Sequence, residues 1–244
     1  MPPLPSRPDA AWRQLPLPFV HRPLHSAADF LPAPSNAAAL AWLGRPAEWP
    51  QLRLALWGEA GSGKTHLLSL WAARMRADLL AGPVLPHESG APSRPLAIDD
   101  ADAAAERLLL HLLNAAAEAR LPVLLAGRAP PSRWPVQLPD LASRLRAIAA
   151  VQLRPAEDSL LRALLARLLA ERQIAVPEAV QDWLLARLPR TPAAMREVAA
   201  RLDRAALAAG RPVTRAVAAA VLEGLADTAP EGAAAPLSDA PLLL

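Results

Sequence analysis

Four short apolar runs mark the first two thirds of the chain: LRLALW (52–57), PLAID (95–99), LPVLLAG (121–127) and AIAAVQL (147–153). Each is too short for a buried helix and continuous enough for a strand covered on both faces. Between them the spacing turns helical. In HLLSLWAARMRADLL (66–80), Leu67, Leu70, Trp71 and Met75 recur on one face, and AAAERLLLHLLNAAAEAR (103–120) behaves likewise. SNAAALAWLG (35–44) predicts a short helix capped by Ser35 and stopped by Gly44. Strands alternating with helices predict a parallel α/β sheet. Beyond Pro155 only helical spacing remains, at 157–173, 177–188, 192–210 and 214–225, with Asp158, Thr191 and Thr214 at caps and Gly210 at a stop. The first 34 residues hold nine prolines and no periodic apolar face, which predicts an extended arm. The expected organisation is an arm over 1–34, an α/β domain over 35–154, a small helical domain over 155–225 and a frayed tail over 226–244.

Between the first predicted strand and the helix after it lies GEAGSGKT (58–65), which fits the phosphate-binding pattern G-x-x-x-x-G-K-[ST] in the context that pattern requires. Gly58, Gly61 and Gly63 let backbone N–H groups turn inward around phosphates, and the helix start presents its positive end to the same anion. Lys64 supplies a compact charge for the β- and γ-phosphates, and Thr65 a hydroxyl for Mg²⁺. A phosphate loop needs an acidic element on a neighbouring strand. PLAIDDAD provides Asp99 for the metal and Asp100 for positioning water; a solvated acidic turn is the plainer alternative, above all for Asp100.

Composition sharpens this reading. Among 26 basic residues Lys64 is the one lysine, and a planar guanidinium would need different space at a β/γ-phosphate. The sequence pI of about 10.7 accompanies a net charge of only +3. It reflects the lack of groups titrating between His and Arg, so it is no argument for direct DNA binding. The absence of Cys rules out disulfides and thiolate metal sites. No apolar run reaches the roughly 18 residues of a membrane span, and MPPLPSRPDAAWRQ lacks a signal peptide's apolar core. The expected location is cytoplasmic.

Taken together, the glycine loop continued as GSGKTHL, IDDAD, the helix SNAAALAWL, LPDLASRLRA (138–147) and AAMREVAARLD (193–203) resemble the DnaA-like AAA+ ATPases, and within them the Hda-type regulators of DnaA. The resemblance covers about 12–225 and implies an AAA+ P-loop sheet flanked by helices and followed by a helical lid. It implies ADP or ATP as ligand, held by Gly58, Gly61, Ser62, Gly63, Lys64, Thr65 and His66, with Arg196 reaching back from the lid. It implies an arginine finger at Arg144, following a helix, that acts on a nucleotide held by a neighbouring subunit. By pattern alone Arg144 is one of many arginines on a solvated surface. Arg196 is then the polar face of a helix opposite Met195, Val198 and Leu202. In one place the chain departs from the family. Arg128, ahead of Pro130 and Pro131, stands where a small acidic or polar residue is usual, which implies weak or no ATPase activity of its own.

The arm carries QLPLPF (14–19), similar to the motif with which bacterial proteins dock on the β-subunit sliding clamp of the replicative polymerase. Gln14 would bond at a pocket rim while Leu15, Leu17 and Phe19 fill an apolar cleft, with Pro18 limiting the entropy lost on docking. The implied function is negative regulation of replication initiation: a nucleotide-bound protein, on the clamp, that stimulates ATP hydrolysis by DnaA. A homo-oligomer is compatible with it. The alternative is a helicase-loader or transposition-helper ATPase.

Overall fold

The computed structural model describes residues 31–86, 91–209 and 212–226. The predicted clamp motif at 14–19, the Gly210 stop and the tail beyond Ala226 lie outside them. Five parallel strands, β1 (Arg53–Trp57), β2 (Asp78–Ala81), β3 (Leu96–Asp99), β4 (Val123–Gly127) and β5 (Ala149–Gln152), form one sheet in the order β2-β3-β4-β1-β5. Helices α1 (Ala37–Leu43), α2 (Lys64–Met75), α3 (Glu106–Glu118) and α4 (Pro139–Arg146) accompany it.

Strand alternation explains the layering. Leu54 and Leu56 of β1, Ala97 of β3 and Leu124 and Ala126 of β4 pack with α1 and α2 through Ala39, Leu43, Leu67, Leu68 and Trp71. Ala55, Leu96, Ile98, Val123 and Leu125 face the other way, onto Leu109, Leu112 and Leu113 of α3 and Leu141 and Leu145 of α4. Strands apolar on both faces are what a sheet sandwiched between helices demands. Trp49 stacks on Trp71, ring centroids 5.3 Å apart, closing the first face.

Two predicted details are corrected. The helix expected over 66–80 stops at Met75, where Arg76 adopts a left-handed conformation (φ 52°, ψ 40°), and the continuation DLLA is the edge strand β2, paired with β3. Ser35 does not cap α1: its hydroxyl donates to Glu157 Oε2 at 2.9 Å. The residue at the cap position, Asn36, makes no capping bond either, because its side-chain oxygen accepts from the Ala33 N–H.

The chain divides into two compact units. The first holds the described residues up to Leu164 together with Arg190–Ala193, and the second holds Leu165–Pro189 and the residues from Ala194 onward. The helices after the sheet are α5 (Asp158–Glu171), α6 (Glu178–Leu185), α7 (Pro192–Ala209) and α8 (Arg215–Ala226). The second unit has its own apolar centre, in which Leu165, Leu184, Met195, Val198 and Leu202 are buried, so the face of α7 expected to turn inward does so. Among the described residues no helix is long and apolar enough to cross a membrane.

Candidate nucleotide-binding site

β1 ends at Trp57 and α2 begins at Lys64, so residues 58–63 make the turn between a buried strand and a helix start. Gly61 (φ 80°) and Gly63 (φ 98°) occupy left-handed backbone, which a side chain would oppose. A Cβ on Gly58 would collide with the Leu153 carbonyl, and one on Gly61 would stand 2.8 Å from Thr191 Cγ2. One on Gly63 would meet nothing within 4 Å, so the loop has open space above the helix start. The Ser62 hydroxyl is buried without a hydrogen-bond partner among the described residues. An orphaned donor in a glycine turn at the positive end of a helix fits a phosphate.

Lys64 is buried, and its Nζ donates to the carbonyls of Gly58 at 2.7 Å and Glu59 at 2.8 Å. Burial pushes its ammonium below the usual lysine range; the carboxylates of Asp99, Asp100 and Asp102 oppose that, and the Arg128 guanidinium adds to it. These five side chains therefore form one electrostatic group. Thr65, next along α2, is exposed, and His66 is buried. Asp99 is half-buried at the end of β3. Asp100 is exposed and left-handed (φ 46°, ψ 43°), a conformation aspartate tolerates better than most residues. Among the described residues no group of three or more His, Cys, Asp or Glu could hold a metal. A Mg²⁺ bound through phosphates needs only one or two protein oxygens, which Thr65 and Asp99 can supply.

The acidic turn is held from two sides. A Cβ on Gly82, just after β2, would collide with the Asp100 carbonyl. Gly82→Ala must displace that turn, and we expect a loss of about 1–3 kcal/mol, the usual cost of overpacking, measured by urea denaturation. On the other side Asp102 Oδ2 accepts the Arg128 N–H at 2.8 Å, tying the acidic turn to the end of β4. Asp102 was within the motif quoted from the sequence, yet nothing local signals its role, because its partner lies 26 residues away. Arg128 follows Gly127, which pairs with Trp57 immediately before the glycine loop.

Arg144 lies in the last turn of α4 rather than after a helix, and it is half-buried. β5 starts opposite Leu54, so the C-terminal end of α4, three residues earlier, lies where the strands begin. The glycine loop lies where β1 ends. Five residues of strand separate the two by about 15 Å, so the structure does not bring Arg144 together with Lys64. Arg53, which opens β1, is almost fully buried and donates through Nη2 to the Leu113 carbonyl at 2.8 Å. Burial lowers its pKa, and the charge of Arg144 lowers it further. Arg196 is half-buried on α7 in the second unit.

A parallel sheet in this order defines an AAA+ fold, with a glycine loop after β1, helices following and an acidic end on β3. β4 separates β3 from β1, so the acidic end is not on the adjacent strand expected from the sequence. Solved structures agree. Domain III of the Thermotoga maritima replication initiation protein DnaA is similar with a TM-score of 0.69 at 18% identity, over 83% of this chain and 97% of that one. AMPPCP-bound DnaA from Aquifex aeolicus follows at 0.55 and 17%, over 67% and 60%. The Thermotoga maritima RuvB Holliday junction branch migration motor gives 0.56 and 18%, over 78% and 67%. Residues 158–222 match the family model described as Hda, lid domain, so this helical segment is similar to the Hda lid and the fold is similar to that of DnaA domain III.

Proposed function

We propose that this chain is a nucleotide-binding regulator of DnaA that docks on the DNA-loaded sliding clamp and stimulates DnaA to hydrolyse its ATP. The observation that carries this reading is the Hda-type lid over 158–222 joined to a phosphate loop. Gly58, Gly61, Ser62, Gly63, Lys64, Thr65 and His66 hold the phosphates of ADP or ATP, with Arg196 contributing from the lid. Thr65 and Asp99 hold Mg²⁺, which neutralises charge on the phosphates when bound. Asp100 positions water. The Arg128 charge within reach of Lys64 adds a cation where a partner-free site would need a neutral or acidic group to orient water. The chain's own hydrolysis is accordingly slow.

Arg144 acts on another subunit. Its distance from the chain's own loop removes it from self-hydrolysis, and among the described residues no hydrogen bond or ion pair holds its side chain. It supplies positive charge to the phosphoryl group transferred within DnaA, the role of a trans arginine finger.

Residues Gln14, Leu15, Leu17, Pro18 and Phe19 tether the regulator to the clamp. Replacing Gln14 and Leu15 together with Ala should lower clamp affinity at least 100-fold in a pull-down or surface-binding titration while calorimetric nucleotide binding stays unchanged. Retained clamp binding at wild-type affinity would remove the tether from the account and favour the helicase-loader or transposition-helper reading.

A further inference from the structure

Helix α4 has eight residues, too few to be stable alone. Leu138 occupies its cap position without a capping side chain, and Pro139 has no N–H to give. Leu141 and Leu145 bury one face, but apolar contact is non-directional and leaves rotation about the helix axis poorly fixed.

The polar fixing comes from elsewhere. Glu106, the first residue of α3, accepts the Gln137 N–H at Oε1 and the Leu138 N–H at Oε2, both at 2.8 Å. One carboxylate thus grips two consecutive backbone donors at the start of α4 with both oxygens, which sets position and orientation together. At the other end Arg53 offers only donors and a like charge: its Nη2 is spent on Leu113, and its Nη1 has no partner among the described residues. Among the described residues no hydrogen bond or ion pair there draws the Arg144 guanidinium back onto the core. Six residues separate Leu138 from Arg144, about 9 Å of helix, so a small rotation at the start of α4 carries through to the guanidinium.

We propose that Glu106 is the positioning residue for Arg144: its carboxylate fixes the start of α4 so that the finger is presented outward in one orientation. The inference rests on Arg144 acting in trans as proposed above. Misplacing a reacting group by about 1 Å costs on the order of 100-fold in rate, and this sets the scale of the effect.

The test is single-turnover hydrolysis of ATP prebound to DnaA, with the clamp loaded on DNA and the regulator titrated to saturation. Glu106→Ala should lower the maximal stimulated rate about 10- to 100-fold and leave the half-saturating concentration unchanged. In an Arg144→Ala background it should lower the rate no further, because a displaced finger and a missing finger are the same defect. A role in fold stability alone would raise the half-saturating concentration and act equally in both backgrounds. Glu106→Gln, which keeps one acceptor oxygen, should lose only a few-fold, and it carries the test if the Ala variant fails to fold. Wild-type stimulation by both Glu106 variants, or effects of Glu106→Ala and Arg144→Ala that multiply, would overturn the positioning role while leaving the finger in place. Failure of Arg144→Ala to differ from wild type would overturn the underlying reading instead.

Discussion

Arg144→Ala should leave the chain folded, clamp-bound and nucleotide-bound, yet reduce its stimulation of DnaA-bound ATP hydrolysis by about 10³ to 10⁵, roughly 4 to 7 kcal/mol of barrier. The magnitude follows from what the side chain meets. On this chain alone Arg144 contributes little to stability, because among the described residues it has no acidic partner and it sits beside the like charge of Arg53. In the proposed complex its charge would fall on oxygens that become more negative as the phosphoryl group transfers, where preorganised charge has its largest effect. An exposed arginine that merely touches a partner surface is worth about 0–1 kcal/mol, a factor of five or less. The two expectations differ by at least two orders of magnitude, so an assay comparing wild type and Arg144→Ala at matched saturation separates them. Arg144→Lys should recover little, since an ammonium lacks the planar fork of donors.

Lys64→Ala should weaken ADP and ATP binding by about 100-fold or more. Hydrogen bonds to charged groups contribute about 1.5–3 kcal/mol each, and losing about 3 kcal/mol is roughly a 100-fold change in dissociation constant. In the structure the Lys64 ammonium donates to the Gly58 and Glu59 carbonyls, holding the loop around itself. Removing it costs the fold those two bonds but also relieves a buried charge whose burial is unfavourable, as its lowered pKa records. The two effects oppose each other, and the net change in stability should stay within about 1 kcal/mol. Calorimetric titration with each nucleotide checks the affinity, and thermal unfolding checks the fold. Wild-type affinity in a folded Lys64→Ala chain would remove the loop from the nucleotide site.

The parts of the fold legible in the sequence are those where local pattern and tertiary burial agree. β1, β3, β4 and β5 were readable as apolar runs bounded by polar or glycine positions. β2 was not, because DLLA is a short edge strand continuing a helical run, and the left-handed turn at Arg76 is not announced by Gly or Asn. Ser35 was misread as a cap because its hydroxyl has a competing acceptor, Glu157, 122 residues away. The glycine loop was legible because phosphate binding by backbone groups imposes spacing on consecutive residues. Asp102 and Glu106 were not, since each accepts from backbone N–H groups 26 to 32 residues distant, and neither a backbone donor nor that distance leaves a pattern in sequence. Arg144 entered only through resemblance; its separation from the glycine loop required the strand register.

The most direct measurement is the rate at which DnaA hydrolyses its bound ATP on clamp-loaded DNA with and without the wild-type chain. Regulation in trans predicts a rise that saturates with the chain, depends on the clamp and vanishes with Arg144→Ala. An unchanged rate at saturating chain and clamp would contradict it.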